Sequence, residues 1–406
     1  MSDSIKHECG LALIRLLKPL DYYHKKYGTA LYGLNKMNLL LQKQRNRGQD
    51  GAGLVTIKLD TPPGTRFISR KRSNSPQYLK DLFDNIFANF QDLSKEQFND
   101  PQWLKDNKPY IGELLLGHLR YGTHGANTIE TVHPFLRQNN WITRNLVLAG
   151  NFNLTNVDEL FAELLSFGQY PKEKSDTVTV LEKIGHFLDD EVQRLFNWFK
   201  SQGFTNLEIN NMIADHLDIQ RLLLRASRKF DGGYVMAGLI GHGDAFVFRD
   251  PAGIRPAFYY QDDEIVVVAS ERPAIQTSLN IRFNQVKELQ PGHALIIKKN
   301  GLVSEELVKE PTKPTPCSFE RIYFSRGTDR DIYLERKKLG ELLADKILKA
   351  VDYDIENTIF SFIPNTAEVA FFGMIKGLEA KLNDIKSKKI LELSQQGLLT
   401  DEALAN

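Results

Sequence analysis

The strongest constraint on this chain is a change of hydrophobic period partway along it. Residues 177–229 carry apolar side chains at helical spacing with a break near Gly203, after which the period falls to two. Ala245–Phe248, Ala257–Tyr260, Ile265–Ala269 and Ala294–Lys298 then read as short strands, the last turning at Asn300-Gly301 in a hairpin signal. Strands joined by such short turns pair antiparallel, so the chain to about residue 300 reads as one α+β unit.

Earlier segments fit that unit. Leu34, Met37, Leu40 and Leu41 predict a helix over Leu31–Gln44, and a strand about Gly53–Leu59 follows the glycines of Arg47–Gly53. Leu114–Leu119 and Arg144–Ala149 are short apolar strand candidates, each running into a loop dense in Gly, Thr, His and Asn, where sites usually sit. Thr155 with Asp158 predicts a capping box opening a helix that ends before Gly168. Residues 61–110, around an amphipathic Tyr78–Phe90, read as an excursion from the main fold.

Three prolines in Lys309–Pro316 mark the domain boundary, a linker at 309–316. Beyond it, 317–406 reads as a strand at Arg321–Phe324, a helix about Glu335–Val351, a strand about Thr358–Ile363 and a last helical stretch. That is a β-α-β-α beginning with nothing to complete a parallel sheet.

Lys plus Arg number 52 and Asp plus Glu 51, so a net charge of +1 gives no field steering the chain to nucleic acid or an anionic membrane. No apolar run approaches the roughly 18 residues that span a bilayer, and the expected location is cytoplasmic. Two cysteines far apart, Cys9 and Cys317, exclude a disulfide framework and a Cys-only metal site. His118, His124 and His133 lack metal-ligand spacing, so loop hydrogen bonding is expected of them and no metal ligands are assigned. Lys71-Arg72 and the basic run at 386–389 read as solvated faces.

Any cysteine chemistry must therefore rest on one residue. Cys9, in His-Glu-Cys-Gly-Leu-Ala, reads on its own as a small buried hydrophobe. Were residues 1–8 removed as a propeptide, however, its α-amine, with a reference pKa near ~8, could serve as base beside its own thiol.

Cys9-Gly10, Arg47-Gly48-Gln49-Asp50-Gly51-Ala52-Gly53, Gly117–Thr123 and Asn151–Asn156 occur in the order seen in class II glutamine amidotransferases. These belong to the N-terminal nucleophile hydrolases, and Phe248–Pro256 with Ala269-Ser270-Glu271 extend the likeness across about 9–300, giving an amidotransferase domain over 9–308. The resemblance implies a four-layer αββα glutaminase with Cys9 as nucleophile. It also implies that Arg120 pairs bidentately with the α-carboxylate of glutamine. Thr123 and His124 join the substrate-binding set, and Asp176 takes the α-ammonium, although a helix N-cap explains the same Asp. By the same resemblance, the Asn151 side chain and the Phe152 N–H hold the oxyanion. Here the chain departs from the family, which usually shows His-Asn-Gly-Asn where this sequence reads Gly150-Asn151-Phe152-Asn153. A backbone donor needs no particular side chain, but a φ above zero would strain a phenylalanine.

Cys317-Ser-Phe-Glu320-Arg-Ile-Tyr323-Phe324-Ser-Arg326 and the helix holding Lys338-Leu-Gly340 resemble the junction and first helix of the amidophosphoribosyltransferase family. The loop Ile363–Glu368 falls where that family holds pyrophosphate. The resemblance implies that ammonia from glutamine displaces magnesium-bound pyrophosphate from phosphoribosyl pyrophosphate, giving 5-phosphoribosylamine, with Mg2+ for that half and no cofactor for the glutaminase half. It also implies a homo-oligomer. The family's acidic-acidic-Ser and Arg-Gly-Thr-Thr loop is absent through Asn406, so 317–406 is expected to be an incomplete phosphoribosyltransferase-type α/β domain. Some relatives hold an iron–sulfur cluster on four cysteines, which Cys317 alone cannot. The alternatives are the glutaminase half of glucosamine-6-phosphate synthase and a catalytically silent scaffold that keeps the fold.

Overall fold

The computed structural model describes residues 9–122 and 128–401, with the backbone alone at 152. Packing divides the chain into two units, the first ending at Glu320 and the second beginning at Arg321.

The first unit is built on two antiparallel sheets. Its strands are β1 (Gly10–Leu16), β2 (Gly51–Ile57), β3 (Ile68–Ser73), β4 (Leu114–Arg120), β5 (Phe135–Arg137), β6 (Leu146–Leu154) and β7 (Gly232–Ile240). These are followed by β8 (Ala245–Arg249), β9 (Phe258–Gln261), β10 (Ile265–Ala269), β11 (Lys287–Glu288), β12 (His293–Ile297) and β13 (Val303–Leu307). One sheet runs β11-β9-β10-β1-β4-β2-β3 and the other β13-β12-β8-β7-β6-β5. β1 is central and buried along its whole length, which is why it reads as a continuous apolar run rather than an alternating one.

Three apolar clusters show how the sheets are covered. Leu11, Leu13, Val55, Leu116, Val147 and Val247 meet between the sheets. The opposite face of the first sheet packs Ile14, Leu54 and Leu115 against Met37, Leu40, Leu82 and Ile86 from the helices Tyr32–Lys43 and Tyr78–Phe87. The outer face of the second sheet packs Leu148, Met236 and Phe248 against the helices Asp176–Ser201, Asn206–His216 and Ile219–Ala226.

Three expectations within this unit are corrected. Residues 61–110 are not an excursion: they supply edge strand β3 and a helix whose Tyr78, Leu82, Phe83 and Ile86 are buried in the core. The helix after β6, Val157–Ser166, is not opened by a Thr155–Asp158 capping box, because the Thr155 hydroxyl donates to Asp231 and Asn156 occupies the cap position. The Pro-rich 309–316 does not lie between units. Thr312 and Thr315 donate their N–H groups to Pro251 and Ala252 at 2.8 and 2.9 Å, and Cys317 to Ile254 at 3.3 Å, so this stretch is fastened to the first unit and the division falls after Glu320.

The second unit departs most from expectation. The strands anticipated at Arg321–Phe324 and Thr358–Ile363 are not formed: Glu320–Phe324 is a π-helical turn, and 358–363 carries no regular structure. The unit is a pair of helices, Arg330–Ala350 and Glu368–Gln395, so the anticipated β-α-β-α start is corrected to a helical hairpin among the described residues. Small residues explain the pairing. A Cβ on Gly340 would lie 1.8 Å from the Ala370 carbonyl oxygen and one on Gly373 1.9 Å from that of Lys337, so the two backbones touch where side chains are missing.

Candidate active site

Strand alternation puts the reactive residue types in one place. Leu11 and Leu13 of β1 face the space between the sheets, as do Leu114 and Leu116 of β4, and Val147 and Ala149 of β6. Continuing each strand by twos turns Cys9, then His118 and Arg120, then Asn151 and Asn153 toward that same space at one end of the sandwich. A cavity of about 310 Å³ opens there, lined by Cys9, Arg120, His133, Gly150, Asn153 and Asp176 among others. That is the small end of the range for ligand pockets. Cys9 and Arg120 are buried and Asp176 is half-buried.

The glycine-rich Arg47–Gly53 segment is a packing device. A Cβ at Gly53 would lie 2.0 Å from the His133 carbonyl oxygen, and one at Gly48 2.6 Å from the backbone of Leu119. Asp50 then ties the site loop down: its N–H donates to the Arg120 carbonyl at 3.0 Å and its carboxylate accepts from the Gly122 N–H at 2.6 Å.

Asp176 is the first residue of the helix Asp176–Ser201, whose N-cap is Ser175, accepting from Val178 N–H at 3.3 Å. The capping role is therefore filled by Ser175. A relay orients Asp176 from the sheet. The Gly150 N–H donates to Nδ1 of His133 at 3.3 Å, Nε2 of His133 meets the Thr177 hydroxyl at 3.0 Å, and that hydroxyl donates to Asp176 Oδ1 at 3.2 Å. With Nδ1 accepting, His133 is the neutral Nε2–H tautomer. His118 stacks on His133 at 4.2 Å between ring centroids, and its Nε2 donates to the Gly150 carbonyl at 3.0 Å. Both histidines thus hydrogen-bond, as the sequence suggested, but the route through His133 to Asp176 was not legible there. His124 and Thr123 lie outside the described residues, as does the 1–8 segment.

The backbone of β6 supplies a second donor. Phe152 is paired with Tyr234, whose N–H and C=O are both taken by Asp250, at 3.4 and 2.8 Å. In an antiparallel ladder a residue's N–H and C=O point to the same side, so Phe152 and Tyr234 form a non-hydrogen-bonded pair. The Phe152 N–H therefore points away from β7, to the edge that Gly150 offers the histidines. β5 ends opposite Leu148 and does not reach it.

The Asn151 amide is engaged differently from what the sequence implied. Its Nδ2 donates to Oε1 of Glu320 at 3.3 Å. Glu320, 1% exposed, receives Arg47 Nη2 on both oxygens at 2.5 and 2.7 Å, with Arg255 Nη1 at 3.7 Å. Arg47 also reaches Glu271 at 3.4 Å and donates Nε–H to the Cys9 carbonyl at 3.3 Å. Two arginines and two glutamates balance in this buried group, as burial demands. Sequence reasoning quoted Glu320 only as part of a motif and gave it no role.

The remaining motifs are scaffolding. Asp250 accepts from the N–H groups of Ala252, Ile254 and Arg255 at 2.9 to 3.1 Å, fixing the loop that presents Arg255. Ser270 and Gln44 clasp the backbone of Leu11, two residues from Cys9. Magnesium prefers several oxygens in octahedral array. Among the described residues no three His, Cys, Asp or Glu groups converge, and no step is routed through the ion. No helix of the described residues is long and apolar enough to cross a membrane.

The chain resembles amidophosphoribosyltransferases along most of its own length. It is 29% identical to that of Pseudomonas aeruginosa over 352 residues, covering 84% of this chain and 59% of the relative. It is 27% identical to chloroplastic amidophosphoribosyltransferase 1 of Arabidopsis thaliana (82% and 48% covered) and 26% identical to that of Bacillus subtilis (88% and 61%). The chain thus spans less than two thirds of the length of these curated relatives. No family model matches it. The solved glutamine phosphoribosylpyrophosphate amidotransferase from B. subtilis complexed with ADP and GMP superimposes with a TM-score of 0.56 at 22% identity, covering 91% of this chain and 64% of that one. A structure described as the allosteric regulatory enzyme of purine biosynthesis gives 0.58 at 23% identity, covering 91% and 63%. These two share the fold of mixed helices and antiparallel sheets.

Proposed function

We propose that the first unit is a four-layer αββα glutaminase, and that it serves an amidophosphoribosyltransferase, delivering ammonia to phosphoribosyl pyrophosphate. The observation that carries this reading is the convergence of Cys9, Arg120 and Asp176 on one cavity, from three segments far apart in sequence. The stacking of helices, sheet, sheet and helices around three clusters supports the layer assignment.

In this reading, removal of 1–8 exposes the Cys9 α-amine. Glutamine enters with its α-carboxylate on Arg120 and its α-ammonium on Asp176, which leaves the γ-amide facing Cys9. The Cys9 sulfur bonds to the carbonyl carbon of the γ-amide as its proton passes to the α-amine. The carbonyl oxygen takes up negative charge and is held by Asn151 Nδ2–H and the Phe152 N–H. The amine returns the proton to the departing nitrogen, the C–N bond breaks, and ammonia leaves a γ-glutamyl thioester. Water then adds with the amine as base, the C–S bond breaks as the proton returns to the Cys9 sulfur, and glutamate is released. Ammonia next bonds to C1 of phosphoribosyl pyrophosphate as the bond to pyrophosphate breaks, giving 5-phosphoribosylamine. The Cys317–Arg326 and Ile363–Glu368 likenesses support assigning residues 317–406 to the phosphoribosyltransferase-type part of the protein, with Mg2+ accompanying the pyrophosphate.

Glutamine hydrolysis by the processed chain tests the reading. Glutamate should form, intact mass should place the first residue at Cys9, and activity in a chain that still begins at Met1 or Ser2 would overturn the free-amine step.

A further inference from the structure

We propose that Glu320 is a positioning residue for the oxyanion, fixing which end of the Asn151 amide faces the reacting carbonyl. The inference rests on the glutaminase reading above. An asparagine amide has one accepting and one donating end of nearly the same shape, and only its surroundings decide which way it lies. Only the NH2 end stabilises a developing oxyanion; the carbonyl end repels it.

The surroundings of Asn151 make that choice through one carboxylate. Asn151 is 1% exposed, so water does not set its orientation. Glu320 Oε1 stands 3.3 Å from Nδ2, and reversing the amide would bring Oδ1 against that negatively charged oxygen. One N–H of the NH2 group is thereby committed to Glu320, and the geminal N–H is left for substrate. Asn151 Oδ1 accepts no hydrogen bond among the described residues, so no other contact opposes or replaces this one. The carboxylate is itself immobilised by Arg47 on both oxygens, with Arg255 at 3.7 Å. Arg47 also holds the Cys9 carbonyl, so one carboxylate sets both the nucleophile's backbone and the oxyanion donor.

Removing the charge should do more than free the amide. Arg47 and Arg255 would lose their shared anion, and Asn151 Oδ1, no longer repelled by a carboxylate, becomes able to accept from their N–H groups, which would hold the amide reversed. Because Glu320 is not in the lining of the cavity that Arg120 and Asp176 share, ground-state binding through those two residues should be spared.

The experiment is a double-mutant cycle on glutamine hydrolysis by the full processed chain, with Asn151→Ala, Glu320→Gln and the combination. Glu320→Gln should lower kcat at least tenfold with KM for glutamine within threefold, and adding it to Asn151→Ala should cost no more than twofold further. Should Glu320→Gln fail to fold, Glu320→Asp keeps the charge for Arg47 and Arg255 but withdraws it by one methylene from Asn151, and the same kcat loss is expected. An unchanged kcat in the folded variant, a loss carried by KM, or losses that multiply in the double variant would each overturn the proposal. If Cys9→Ala or Asn151→Ala left hydrolysis intact, the glutaminase reading would fall first and this inference with it.

Discussion

The two units treat charge and apolar surface in opposite ways. In the first, three apolar clusters are large enough to enclose ionised groups, and Arg47, Glu271, Arg255 and Glu320 are buried together with their charges matched. In the second, the helix Glu368–Gln395 buries only Gly373 and Met374, while Ile359 and Ile363 are 95% and 83% exposed. A core that closes around paired charges can hold a reactive site at fixed geometry. A helical hairpin joined through glycines can dock but cannot preorganise in this way.

The sharpest way to break the comparison is at the nucleophile. Cys9→Ala should abolish glutamate release while the melting transition stays in place; residual hydrolysis at wild-type rate would move the chemistry away from this cavity. The complementary assay addresses the second unit. Given phosphoribosyl pyrophosphate, magnesium and ammonia, the 406-residue chain should release no pyrophosphate above background, because the described residues of the second unit offer two helices and their flanking loops rather than the converging backbone donors that phosphates require. Ammonia-dependent release would show that the hairpin contributes a site after all.

Asp244 probes charge burial away from the cavity. Burial alone would raise its carboxyl, but His242 at 3.0 Å and Lys298 outweigh it and hold the group below the ordinary value. A lowered folded-state value means the stabilisation is present above the unfolded value near ~4 and is lost as pH falls through and below it. Asp244→Asn should cost roughly 3 kcal/mol at neutral pH. Its melting temperature should also fall less steeply than the parent's between about pH 5 and 3. Parallel acid-side slopes would assign the acid sensitivity elsewhere.

Arg120→Leu should raise KM for glutamine about ten- to a hundredfold, the worth of roughly 1.5–3 kcal/mol for a lost charged hydrogen-bond partner. Unchanged glutamine kinetics would place the carboxylate clamp on another residue. The smallest effect is expected in the second unit. Gly340→Ala should separate the two helices at a cost of about 1–3 kcal/mol, read as faster amide exchange over 330–395, with glutamine turnover within twofold. A tenfold change in turnover would show that hairpin packing reaches the cavity.

What could be read from the sequence follows from what is local. The helix at Tyr32–Lys43 and the strands β4, β8, β10 and β12 announce themselves because their apolar spacing is also their burial pattern. Cys9, Arg120 and Asp176 were legible through motif order, and the cavity brings them together. The second unit was misread because Thr-Ile-Phe-Ser-Phe-Ile at 358–363 has strand composition, whereas a strand needs a neighbour to take its N–H and C=O groups and the unit offers none among its described residues. Glu320 and His133 act through contacts 169 and 17 residues away, to Asn151 and Gly150, and no periodicity encodes such distances.

Gly150 also carries a consequence for assembly of the sheet. Its N–H and C=O are both claimed by imidazoles, so β6 is clamped at one position along its length. A one-residue slip of β6 against β7 would turn Asn151 and Asn153 toward the outer helices. In the slipped arrangement neither histidine finds its backbone partner, so two buried ring nitrogens go unsatisfied at once. The His118–His133 stack thus acts as a proofreader of strand registration, penalising a misaligned sheet before any substrate arrives.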